Sequence, residues 1–74
     1  MKTLERPFTE KQAASINEYQ MAKYVHPFTC PVCNAALIAI AKHGMECPKG
    51  HYEQDWVWAM MADGSWKKFG NKMM

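Results

Sequence analysis

The sequence predicts a small α+β domain held together by a metal ion: an N-terminal helix, then an antiparallel hairpin closed by two cysteine-bearing turns. Three observations predict it. The chain has 74 residues, too few to offset its conformational entropy comfortably with buried apolar surface, so a staple is expected. Every cysteine falls in two short clusters within "CPVCNAALIAIAKHGMECPKGH", residues 30–51, which closes on a histidine. The apolar pattern is helical before Pro27 and strand-like after it.

Composition excludes several classes. At 49% hydrophobic and 22% charged the chain is globular, without low-complexity blocks. The longest mainly apolar run, "AALIAIA", is too short to cross a bilayer, and "MKTLERPFTEKQ" lacks a signal-peptide core. A cytoplasmic protein without a membrane partner is expected. Three cysteines would leave one thiol outside a disulfide framework, and in a reducing compartment clustered cysteines more often hold metal. A net charge of +2 does not by itself imply nucleic acid.

The elements follow in order. Residues 9–24, "TEKQAASINEYQMAKY", read as one helix, with Thr9 as N-cap and Gln12 completing a capping box. Phe8 can staple over Ala13. Ala13, Ile16, Tyr19 or Gln20, and Tyr24 make an apolar stripe, and Pro27 stops the helix near Val25. "ALIAIAKH" reads as a strand, "HG" as a turn and "MEC" as the return strand. "YEQDWVWAMM" alternates with period two, placing Tyr52, Gln54, Trp56, Trp58 and Met60 on one face. "ADGS" is a turn and "WKKF" a last short strand. The expectation is three to four short strands in one domain: arm and helix in 1–26, the hairpin unit in 27–69, and a flexible tail in 70–74.

Cys30 and Cys33 form C-x2-C, Cys47 and His51 form C-x3-H, and 13 residues separate the clusters. This approaches the two-knuckle spacing of structural zinc sites, each turn bringing two ligands to one side of a tetrahedron. Pro31 and Pro48 follow the first cysteine of each cluster and suit a knuckle turn; Gly50 permits a positive backbone angle. The arrangement is that of a zinc ribbon. Thiolates with an imidazole favour zinc over magnesium or calcium, whereas an iron–sulfur cluster normally takes four thiolates. His26 and His43 are the other histidines, and His51 is preferred because it shares a knuckle with Cys47. One structural Zn2+ on Cys30, Cys33, Cys47 and His51 closes the coordination sphere and contributes on the order of 10 kcal/mol to folding. No Walker loop, dinucleotide fingerprint or Ser/His/Asp set accompanies it, so an enzyme is not expected.

At "INEYQ" (16–20), "HPFTCPVC" (26–33), "CP" (47–48), "YEQDW" (52–56) and "MADGSW" (61–66) the chain resembles a family of short, uncharacterised zinc-ribbon proteins encoded by bacteriophages and prophages. The family pattern has a second C-x2-C at the later knuckle, where this chain carries Gly50 and then His51. The resemblance implies a phage origin and a host-cell cytoplasm, and no activity. The "CPKGH" knuckle is also similar to accessory ribbons on RNA-modifying enzymes and transcription proteins, a fold-level likeness.

Two functions compete. Tyr52, Trp56 and Trp58 could stack bases while Lys42, Lys49, Lys67 and Lys68 meet phosphates. Alternatively Tyr52, Trp56, Trp58 and Met60 form an interaction face for a host protein, as in an inhibitor or adaptor, or for a second copy in a homodimer. Residues 27–61 carry two lysines against Glu46, Glu53 and Asp55, and zinc with three thiolates adds another negative charge. That is poor footing for phosphate. Three tryptophans and seven methionines fit the composition of protein interfaces. A protein partner is the expected reading.

Overall fold

The computed structural model describes residues 2–22 and 25–68. Tyr24 of the expected stripe, Phe69 and the expected tail 70–74 lie outside the described residues. The elements run β1 (Thr3–Glu5), α1 (Glu10–Met21), β2 (Ile38–Ala39), β3 (Met45–Glu46), β4 (Glu53–Gln54), β5 (Trp56–Trp58) and α2 (Ala59–Asp63). The class is α+β, with α1 ahead of the antiparallel strands β2 to β5 and β1 preceding it.

The capping box forms as read: Gln12 N–H donates to Thr9 Oγ1 at 3.1 Å, and Thr9 N–H to Gln12 Oε1 at 2.9 Å. Ala13, Ile16, Tyr19 and Gln20 are the buried stripe of α1. The helix ends at Met21, short of the expected 24. Ala22 leaves helical geometry at φ −73° and ψ 138°. The chain has to double back there, because Gln20 grips Phe28 beyond the bend. The tyrosine hydroxyl at 19 spans the same bend, donating to His26 O at 3.0 Å; burial pushes its pKa up.

The strands depart from one three- or four-stranded unit. They form a three-stranded sheet, β2-β3-β4, and a separate pair, β1-β5. Ile38 faces Glu46, and Glu46 faces Glu53; Leu4 faces Val57. Residues 52–59 take part in both sheets. Bonding direction alternates along an extended chain. Tyr52 accepts from Cys47 N–H (2.8 Å) toward β3, while Asp55 O accepts from Arg6 N–H (2.8 Å) and Ala59 N–H donates to Lys2 O (2.9 Å) toward β1. The expected period-two strand is therefore one extended run that changes partner at Asp55.

The turn between β2 and β3 centres on residues 41–42, two residues before the expected "HG", with Lys42 at φ 68°. Gly44 serves space here: a Cβ on it would lie 2.7 Å from the Gln54 carbonyl oxygen. The alternation also misplaces Met60, which lies in α2 and not on a strand. The β1 register ends at Thr3 opposite Trp58, and Ala-Met-Met-Ala has high helix propensity. Gly64, left-handed at φ 85°, caps α2. "WKKF" is not a strand in its described part: Lys67 and Lys68 N–H bond back to Gly64 O and Ser65 O in turns.

One core joins these parts. Phe8, Ile16, Leu37, Met45, Val57 and Met61 are at most 1% exposed, each contributing about 1.5–3 kcal/mol on burial. Cys30 and Cys47 lie in the same cluster. The two cysteine turns are thus an extension of the core and not an appendage.

Candidate metal centre

The two cysteine turns are built alike. In the first, Val32 N–H donates to Cys30 Sγ at 3.3 Å and Asn34 N–H to Cys30 O at 2.8 Å. In the second, Lys49 N–H donates to Cys47 Sγ at 3.3 Å and Gly50 N–H to Cys47 O at 2.9 Å. Each loop is closed at its base, by Cys30 N–H to Ala35 O (2.8 Å) and by Cys47 N–H to Tyr52 O (2.8 Å). Each also contains one left-handed residue, Asn34 at φ 62° and Gly50 at φ 79°, which asparagine and glycine adopt most readily.

The register of that residue differs. Asn34 comes after the second ligand, Cys33, whereas Gly50 comes before His51. The second turn winds one residue earlier, so its third position is spent on left-handed backbone and the fourth points a side chain inward. C-x3-H instead of C-x2-C follows from that shift.

Cys30, Cys33, Cys47 and His51 offer ligand atoms that all lie within 4.8 Å of one another. Cys33 Sγ and Cys47 Sγ are 3.6 Å apart, and Cys47 Sγ is 3.9 Å from His51 Nδ1. A tetrahedral ion with metal–sulfur bonds of about 2.3 Å would hold two sulfurs about 3.8 Å apart. The donor set and spacing are those of a site positioned to hold a metal ion. Cys30 and Cys47 are buried, Cys33 half-buried and His51 exposed, so the site has a closed and an open side.

Electrostatics separate the thiols. Burial would push the Cys47 thiol up, but amide bonds from His51 and Lys49, with the Cys33 and Cys30 side chains, outweigh it and bring it down to about 6. At Cys33 an amide bond from Ala35 acts downward, but burial and the Cys47 and Cys30 side chains prevail and raise it.

Two residues that place this site were given no such role by the sequence reading, which had Gln20 only in the stripe of α1. Gln20 donates through Nε2 to Phe28 O (2.8 Å) and Leu37 O (2.9 Å), and accepts from Phe28 N–H at 3.0 Å. Asn17 donates to Ala39 O (3.0 Å) and accepts from Ala39 N–H (2.7 Å). Both amides imitate a neighbouring strand. They fix the segment entering the first knuckle and the start of the hairpin onto α1. The available signal was a pair of amide side chains on the apolar side of a helix, where a buried polar group must have partners.

The other expected site residues are spread over the fold. His26 and His43 are exposed and outside the ligand cluster. Tyr52, Trp56, Trp58 and Met60 are all half-buried. Trp56 stands edge-on to both Phe28 (5.3 Å) and Trp58 (5.0 Å), so Phe28 joins the expected aromatic face. Lys42 lies in the hairpin turn and Lys49 in the second knuckle, at opposite ends of β2–β3. Lys67 is 2.9 Å from Glu18 and stands over the Trp66 ring, while Lys68 is exposed. Among the described residues the most exposed large apolar side chains are Met21 and Val32, at 83% and 68%. Among the described residues no helix is long and apolar enough to cross a membrane. Comparison with family models, curated proteins and solved structures returned no match.

Proposed function

We propose that the chain is a structural zinc ribbon that acts by binding a protein, not by catalysis, with the phage origin and host-cytoplasm setting that its motifs suggest. The observation that carries the metal reading is the convergence of Cys30, Cys33, Cys47 and His51 within 4.8 Å. Three thiolates and an imidazole suit zinc; an iron–sulfur cluster would want a fourth thiolate. Four protein ligands leave no position for water, so the ion would supply folding energy and not a nucleophile.

The partner reading rests on the aromatic run Phe28–Trp56–Trp58, whose half-buried rings present apolar edges of the kind enriched at protein interfaces. A host protein or a second copy would suit it. Nucleic acid is the competing reading, with Tyr52, Trp56 and Trp58 stacking bases. It is weakened by the lysines: Lys42 and Lys49 sit at opposite ends of the hairpin and Lys67 is paired with Glu18, so they support no single phosphate track.

Native mass spectrometry of protein expressed in zinc-supplemented minimal medium tests the metal. One zinc per chain is expected, weakened or lost in His51→Ala; a metal-free chain, or one carrying iron and sulfide, would sink the ribbon reading. The same spectrum reports monomer or dimer. Fluorescence anisotropy with a labelled single-stranded oligonucleotide tests the target class. Binding that is tight at low salt and collapses at moderate salt would replace the protein-partner reading with the nucleic-acid one.

A further inference from the structure

The metal centre is unevenly protected. Cys30 is 0% and Cys47 1% exposed, whereas Cys33 is half-buried and reachable from solvent beside the exposed His51. The accessible sulfur also has a neighbour at close range, since Cys33 Sγ and Cys47 Sγ stand 3.6 Å apart. The three thiols come from two separate turns, and this close pair bridges them.

We propose that a hydroperoxide joins Cys33 to Cys47 as a disulfide and expels the metal, which makes the centre a redox-sensitive switch; the inference rests on the zinc reading above. The exposed Cys33 thiolate attacks hydrogen peroxide: an S–O bond forms, the O–O bond breaks and hydroxide leaves. The Cys47 thiolate then attacks the sulfenic sulfur: the S–S bond forms, the S–O bond breaks and a second hydroxide leaves. The two sulfurs lose two electrons and the peroxide takes them. The sulfurs close from 3.6 Å to about 2.05 Å.

The result differs from simple destruction of the site. Cys30 and His51 alone cannot retain zinc, so the ion leaves. The new bond ties the two knuckles at the point where the ion had tied them, so the β2–β3 hairpin stays closed. His51 and its turn lose their anchor. The oxidised chain keeps its scaffold and changes one surface.

The test uses the full, zinc-loaded chain, with loading first verified by native mass spectrometry. Hydrogen peroxide is added in the presence of a metallochromic zinc indicator, followed by alkylation and peptide mapping. One zinc released per two thiols lost is expected, with the 33–47 disulfide, Cys30 as the alkylated residue, and reversal by dithiothreitol plus zinc. Far-ultraviolet circular dichroism of the oxidised chain should stay close to that of the loaded chain. A disulfide containing Cys30, an intermolecular disulfide, or zinc and three thiols retained under peroxide that oxidises free cysteine would overturn the inference and leave the ribbon intact. A chain that never loads zinc would overturn both.

Discussion

Gly50 decides which residue of the second turn joins the three cysteines at the candidate metal site. Its φ of 79° lies where a Cβ costs about 1–2 kcal/mol, although open space surrounds it. Gly50→Cys, which would restore the C-x2-C spacing of the resembling family, should therefore lower the urea midpoint of the zinc-loaded protein. His51→Ala should weaken zinc by more than about tenfold in a competition titration. Tighter zinc binding by Gly50→Cys would refute the backbone account of the C-x3-H spacing. At the far end of the fold, the Ser65 hydroxyl and amide hold the Asp63 carboxyl below its ordinary range, the amide donating at 2.8 Å. A carboxyl depressed in the folded state stabilises it above the unfolded pKa, and that contribution is lost as pH falls through the folded one. Ser65→Ala should raise the Asp63 pKa toward the ordinary carboxylate value in an NMR titration; an unchanged value would show that the hydroxyl does not matter.

At the scale of elements, α1 works as a template for the hairpin, through amides as much as through apolar contact. Gln20→Ala would strand the Phe28 N–H and two carbonyls in a buried place, at about 3 kcal/mol. Denaturation of the zinc-loaded variant should show it, and Gln20→Glu should not rescue it, because a carboxylate cannot donate. A midpoint unchanged from wild type would mean that water takes over the clamp. Gly44→Ala places a methyl group against the Gln54 carbonyl and should cost about 1–3 kcal/mol, with the largest amide shifts at Gln54 and Asp55. What was legible at this scale was local. Thr9 and Gln12 are three residues apart, and so are Cys30 and Cys33, so the capping box and the first knuckle could be read directly. Gln20 was legible only as part of a stripe, since its partners lie beyond a bend that no local pattern announces. Met60 was misread because alternation through "WVWAMM" continues past the point where the chain turns helical.

For the whole molecule, the pairing of residues 3–5 with 56–58 was hidden from the sequence. Thr-Leu-Glu carries no pattern of its own, and an extended run such as 52–58 shows its alternation without showing which edge a partner will take. The ligand set was legible because two short turns define it, and the core that surrounds it was not. That core also sets what metal loss should do. With Cys30 and Cys47 among its buried residues, a strong chelator under reducing conditions should abolish the near-ultraviolet signal of the tryptophans cooperatively. A chelated chain that kept that signal would make the metal peripheral. The change of partner at Asp55 reaches further, into the order of events on the ribosome. Leu4 is made well before Val57, so its seat does not exist until the intervening chain has followed. The helix and the cysteine turns can assemble while that opening strand waits. Strand β1, synthesised well ahead of its partner β5, is thus among the last segments to find its place, and it is the one whose exposure a chaperone would meet.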